Sequence, residues 1–174
     1  MFKWRRVFRV VPVPIFYTNK LPAGVGARVA WYAPVVQIRP KYRGDESLHQ
    51  HELEHVRQWW LCFAAMSVVT TLGLVVASSV LGHRMPQQSL IVGIWLSWLG
   101  HAVLHRLSRS YRAITEINAY RRQIRYADSR GEPMSIEAAA ARLSSSRYML
   151  GFSREEARQL LGQAGRSSTP RGEP

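Results

Sequence analysis

The sequence predicts an α+β fold that is mainly helical. It has a small N-terminal antiparallel sheet, a helix carrying His51-Glu52-Leu53-Glu54-His55, an apolar hairpin of transmembrane helices, and C-terminal helices. Three observations predict it. Residues 1–44 hold short β-branched and aromatic runs broken by Pro and Gly. Two long uncharged stretches follow, separated by a brief turn. Beyond residue 108, apolar residues recur at helical spacing in segments opened by serine. With 174 residues, the chain is expected to form one domain over 1–164 and a disordered tail over 165–174.

Within the extended segment 1–44, Val7 to Val13, Ile15 to Tyr17, Ala27 to Tyr32 and Val35 to Arg39 are the strand candidates, and Leu21-Pro22-Ala23-Gly24 reads as a turn. A helix starts near Ser47. Ser47-Leu48-His49-Gln50 fits a capping box, and Asp45 and Glu46 place negative charge at the positive end of the helix dipole. Its segment 47–58 carries the two histidines, and nothing up to Gly82 obliges it to stop.

The apolar hairpin occupies 59–105. Trp59 to Gly82 is 24 residues without a charge, long enough to cross roughly 30 Å of hydrocarbon. Ser89 to Leu104 adds 16 more, a little under the roughly 17 usually needed unless His105 and its neighbours extend it. Pro86 stops a helix in the turn His83–Gln88. Next come a helix over 108–130, ended by Gly131 and Pro133, and two short helices within 135–163. In the first of these, Ile136, Ala139, Ala140 and Leu143 share a face.

Charge is distributed around the hairpin. The net charge is +13, from 24 basic and 11 acidic residues. Ten basic residues lie between Lys3 and Arg57 and thirteen between Arg106 and Arg171, with only Arg84 in the gap. The positive-inside rule therefore puts both termini on the cytoplasmic side, and Trp59, Trp60, Trp95 and Trp98 are candidate interfacial anchors. Membrane lipid is the expected partner. The competing reading is a soluble hairpin buried in the core. Nucleic acid is disfavoured, because the basic residues are spread over both flanks of the hairpin. Pro12 and Pro14 break the first apolar run, which makes Met1 to Asn19 a poor signal peptide. A single cysteine, Cys62, excludes an intramolecular disulfide and a thiolate zinc cluster.

The chemistry lies in the histidine helix. Residues four apart share a helical face, so His51 and His55 can present ring nitrogens to one metal ion. Glu52 projects beside that ion, where it can take a proton from an activated water and pass it to a leaving amine. Two histidines and a carboxylate with one open position favour a zinc ion, Zn2+. The third ligand is expected at Glu116, on the helix that the hairpin returns to the same side. Tyr120, four residues on, shares its face and is the candidate oxyanion donor, although core packing is the commoner use of such a tyrosine. His101 and His105 lie at the inner end of the second apolar stretch, as alternative ligands or as satisfied helix-end residues. His49 and His83 carry no assignment. Asp45 is expected to cap the helix, with a supporting role at the site open to it or to Glu54. The strand Val35 to Arg39 is a candidate for binding an extended substrate by strand addition.

His-Glu-x-x-His followed far downstream by Glu116-Ile117-Asn118-Ala119-Tyr120 resembles the gluzincin class of zinc peptidases. The segment from Val35 to Asp45 running into His51–Trp59 resembles small zinc metallopeptidases encoded by bacteriophages. The resemblance covers roughly residues 35–130, and only the histidine motif within it is specific. It implies His51, His55 and Glu116 as ligands and Glu52 as general base. The apolar hairpin between motif and third ligand is also similar to membrane peptidases of the HtpX and CAAX-protease kind. Those have more spanning helices and an aspartate near the third ligand, a departure that leaves the substrate class open. The expectation is a zinc-dependent endopeptidase acting on a protein or peptide, in the host inner membrane or associated with the virion. The alternative is a non-catalytic structural membrane or virion protein with a metal-binding or vestigial site.

Overall fold

A computed structural model describes residues 2–82 and 87–166. Four strands come first: β1 (Phe2–Val7), β2 (Val11–Tyr17), β3 (Ala27–Val29) and β4 (Val36–Ile38). Five helices follow: α1 (Glu46–Leu81), α2 (Gln87–Leu107), α3 (Arg109–Gln123), α4 (Ile136–Leu143) and α5 (Arg154–Arg166). The fold is α+β and mainly helical, as the sequence implies.

The sheet is mixed rather than purely antiparallel. Its order is β1-β2-β4-β3, with β2 and β4 parallel and the other neighbours antiparallel. Burial explains the order. Val36 and Ile38 of β4 are fully buried, whereas β3 is half-exposed, so β4 takes the central place and β3 the edge. This also overturns strand addition on Val35 to Arg39. Both sides of β4 are already hydrogen-bonded to neighbours, and an incoming chain can pair only with a free edge. Val13, Ile15, Val36 and Ile38 line the inner face and pack on Leu53 and Val56 of α1.

Asp45, not Ser47, is the N-cap of α1. Its Oδ1 accepts from the Leu48 amide at 2.9 Å, while the Ser47 hydroxyl donates to the same carboxylate. A carboxylate caps more strongly where the dipole favours negative charge, so the expected box from Ser47 to Gln50 does not form. The helix then runs unbroken to a left-handed Gly82, with φ 65°.

Two helices, the apolar part of α1 and α2, are long and apolar enough to cross a membrane. None of the most apolar 18-residue window of α1 is buried, and 22% of that of α2 is. The competing picture of a hairpin hidden in the core therefore fails: Val69, Val80 and Trp95 are among many large side chains left exposed. The two helices pack closely through small residues. A side chain at Gly93 would meet Thr70, and one at Gly100 would meet Met66. The turn residues His83 to Pro86, and with them the expected stop at Pro86, lie outside the described residues.

α3 is capped by Ser108, whose hydroxyl accepts from the Tyr111 amide at 3.2 Å. It ends at Gln123, well short of the expected Arg130. Asp128 builds its own turn by accepting from the amides of Arg130 and Glu132. The Ala127 carbonyl meanwhile receives the Ser47 amide. Local side-chain hydrogen bonds outcompete another helical turn here. α4 and α5 start at serine caps, Ser135 and Ser153, and the Ser153–Glu156 pair forms a reciprocal box. Ala139, Ala140 and Leu143 are buried against α3 and α5, but Ile136 is 39% exposed and drops off the expected face. Residues 165 and 166 of the expected tail belong to α5, and the rest lies outside the described residues.

A candidate metal centre between two helices

The site forms where the lower half of α1 meets α3. His51 and His55 project one above the other, with their Nε2 atoms 3.3 Å apart. Glu116 Oε2 reaches in from α3, 3.7 Å from His51 Nε2 and 3.6 Å from His55 Nε2. Three atoms each about 2.0–2.1 Å from one centre at tetrahedral angles lie roughly 3.3–3.4 Å from one another. The three donors stand close to that spacing, and these buried residues can hold a metal ion. Glu116 Oε2 and His51 Nδ1 are buried with no hydrogen-bond partner among the described residues. An ion would relieve the first of these, because it is the oxygen that faces both rings.

Neighbouring side chains hold the donors in place. Gln58, one turn above Glu54, lies with its Oε1 3.3 Å from His55 Nδ1 and donates to the Thr115 carbonyl of α3 at 3.1 Å. It thereby fixes the ring that must face the ion. Arg122 of α3 donates to Glu54 Oε2 at 3.0 Å and to Gln50 Oε1 at 2.9 Å, and Arg57 also pairs with Glu54. Glu54 is thus the anchor of α3 on α1 rather than a partner of the donors, and Asp45 is spent on the helix cap.

Burial sets the electrostatics. It lowers His51 to about 3, helped by the positive charge of His55. Burial alone would lower His55 as well, but the Glu116 carboxylate, with Glu52, raises it to about 9. Burial works against ionised Glu116 too, yet the surrounding His55, His105 and His51 hold it well below the usual carboxylate range. Glu52, only 5% exposed, is pushed up to about 7, mainly by burial. Its protonation is therefore balanced near neutrality, directly beside His51 in the chain.

The structure brings together His51, His55 and Glu116, with Tyr120 against them. The Tyr120 ring packs edge-on to His51 at 4.7 Å, and its hydroxyl pairs with the Tyr148 hydroxyl at 2.7 Å. The other two histidines divide. His101 hydrogen-bonds the Tyr111 hydroxyl at 2.8 Å, whereas His105 Nε2 stands 3.6 Å from the second oxygen of Glu116. His49 belongs elsewhere, paired with Tyr17 and the Asp45 carbonyl.

Sequence reasoning passes over Gln58, Gln123 and Tyr148. Gln58 was within reach of it, being one helical turn from Glu54 and three residues from His55. Gln123 is 2% exposed and lies beside His51, where its polar side chain partly offsets the lowering of the His51 pKa by burial. It falls one turn beyond Ala119 on the face that carries Glu116. Tyr148 arrives from beyond α4, and no local pattern announces it. Comparison with models of known families, with curated proteins and with solved structures finds no match, so the chemistry of this centre rests on its own geometry.

Proposed function

We propose that this protein is a membrane-associated zinc endopeptidase. The observation that carries the reading is the convergence of His51, His55 and Glu116 at metal-ligand spacing with Glu52 next to them on the same helix. Three protein donors and one open position suit a catalytic ion, and imidazole with carboxylate suits zinc. When bound, the ion would polarise a peptide carbonyl and lower the pKa of a water towards about 7. The chain's own residues would do the rest. Glu52 takes a proton and returns it to the leaving amine. Gln58 keeps the His55 ring in line, and the buried surroundings exclude bulk water.

The membrane part of the reading is supported by the exposed apolar faces of α1 and α2. Basic residues at both ends of the hairpin favour termini on the cytoplasmic side. The resemblance to phage-encoded metallopeptidases favours a host inner membrane or a virion as the location, and a protein or peptide as the substrate.

One observation favours a rival. His105 Nε2 lies 3.6 Å from the second oxygen of Glu116, and a fourth ligand from it would close the site and make it structural. A non-catalytic membrane or virion protein would then be the better account. The test compares zinc content and cleavage of a broad peptide library for wild type, Glu52→Gln and Glu116→Ala in mild detergent. The endopeptidase reading expects about one zinc per chain in wild type and in Glu52→Gln, and weakened zinc in Glu116→Ala. It also expects cleavage to fall by about 10²-fold or more in Glu52→Gln. A zinc-loaded wild type inert on every peptide would favour the structural protein. No zinc in wild type after reconstitution would sink the endopeptidase and leave a structural protein with a vestigial site as the better account.

A further inference from the structure

Two turns of the sheet carry large exposed side chains that neither the metal centre nor the helical hairpin uses. Phe8 is 43% exposed and Val10 74%, in the β1–β2 turn; Trp31 is 71% and Tyr32 55%, between β3 and β4. Strand register places both turns at one end of the sheet. Ile15 of β2 lies opposite Val36 in the parallel pair, and Val29 of β3 lies opposite Val36 in the antiparallel pair. The β3–β4 turn therefore leaves from the Val36 end. The β1–β2 turn leaves from the same end, four residues beyond Ile15 and so roughly 13 Å further out.

That end faces the apolar helices. α1 enters at the opposite end, where Tyr17 meets His49, and reaches Trp60 as its apolar stretch begins. The Trp98 indole of α2 donates to the Tyr32 carbonyl at 2.9 Å, while its ring centre lies 4.1 Å from that of Trp59. The β3–β4 turn thus stands level with the first turn of α1's apolar stretch and with the Trp98 turn of α2, and the β1–β2 turn leaves the sheet at the same end.

Charge and strain point the same way. Arg6 and Arg9 are exposed beside the first turn, and the chain has no acidic residue before Asp45. Phe8 and Arg9 both take left-handed backbone, φ 51° and 65°, and the Val10 amide donates to the Val7 carbonyl at 3.2 Å. Such a turn is normally given to Asn-Gly, and a bulky aromatic in it costs on the order of 1–3 kcal/mol. Phe8 nonetheless stays 43% exposed.

We propose that these two turns are a second contact with the bilayer that the hairpin spans. Phe8, Val10, Trp31 and Tyr32 enter the boundary between headgroups and acyl chains, and Arg6 and Arg9 meet anionic headgroups. The contact rests on the membrane-spanning reading of the hairpin. It would hold the sheet down on the surface and fix the height of the metal centre, whose His55 lies four residues, about 6 Å, before Trp59.

The test uses the full chain with Cys62→Ala and one new cysteine at a time: Val10→Cys, Trp31→Cys, Lys20→Cys or Val76→Cys. Each is labelled with an environment-sensitive fluorophore and reconstituted into phosphatidylglycerol-containing vesicles. Quenching by iodide in the water and by lipids spin-labelled at shallow or deep positions is then read. Labels at 10 and 31 should be quenched by shallow lipid labels and about threefold less by iodide than the label at 20, on the far end of the sheet. The label at 76 should be quenched by deep lipid labels. If 76 behaves so while 10 and 31 are as open to iodide as 20, the proposal fails and the spanning hairpin stands. If 76 meets no lipid label, the spanning reading fails and takes this one with it. Turn labels hidden from both iodide and lipid, in proportion to protein density, would mean a second copy of the chain covers them and would overturn the lipid contact.

Discussion

At the scale of single residues, the side chains that decide the metal centre are uncharged as often as charged. Gln58 touches His55, Glu54 and the Thr115 carbonyl at once, and no other described side chain hydrogen-bonds His55 Nδ1. Gln58→Leu keeps the volume and loses all three contacts, which leaves the ring free to turn. Zinc affinity is expected to fall about 10–100-fold with the helix intact, read by competition with a fluorescent chelator. Unchanged affinity would show that packing alone orients His55. Glu52 stands at the other extreme, since its role depends on being adjacent to His51 and buried, both of which its position on α1 supplies. Tyr120 is the residue whose expected role gains least. Its hydroxyl is already shared with Tyr148, and its ring serves as a wall for His51.

Among the elements, α1 does two jobs with one continuous backbone. Its lower half buries histidines and carboxylates against the sheet and α3; its upper half presents apolar side chains outward. The seam with α3 is polar, and Glu54 is its hub, held by Arg57 and by Arg122 across the two helices. Burial would raise the Glu54 carboxyl, but the hydrogen bonds of the two guanidinium groups outweigh it and the net shift is downward from 4.5. A depressed folded value means that its contribution is complete above the unfolded value and is lost as pH falls through the folded one. Glu54→Gln should therefore be less stable than wild type by about 1–3 kcal/mol at neutral pH. The difference should hold down to pH near 4.5 and close in stronger acid. Thermal melts of both proteins across pH check this, and a gap that persists at low pH would place the effect in packing.

For the molecule as a whole, the metal centre closes a long loop. Its donors at 55 and 116 are separated by the entire hairpin, so an ion would tie together segments that otherwise meet through side-chain packing, the Gln50–Glu54–Arg122 contacts and the Gln58–Thr115 hydrogen bond. Binding the folded form alone stabilises it by mass action, about 2.7 kcal/mol at free zinc 100-fold above Kd. For a chain of this size that corresponds to a Tm higher by roughly 5–10 °C than after chelation. Differential scanning fluorimetry in detergent, with zinc and with EDTA, measures it. A Tm indifferent to chelator would argue against an ion shared between α1 and α3.

The sequence by itself determined the features that depend on neighbours along the chain. The spacing of His51 and His55 follows from helical periodicity, the two apolar stretches follow from charge-free length, and the serine caps of α3, α4 and α5 follow from local hydrogen bonding. Glu116 was legible for a further reason: the hairpin had to return the chain to the face it left, and few carboxylates were available there. What only the tertiary structure decided depends on competition between distant groups. β4 displaces β3 from the centre of the sheet because Val36 and Ile38 bury more, and α3 stops at Gln123 because Asp128 and Ser47 claim the backbone beyond it. His105 joins Glu116 while His101 turns to Tyr111, although the two are equivalent in spacing. Gln58 and Tyr148 find their partners across helix interfaces. A local pattern fixes which side chains share a face; which face meets which neighbour is set by the burial and hydrogen bonding of the whole chain.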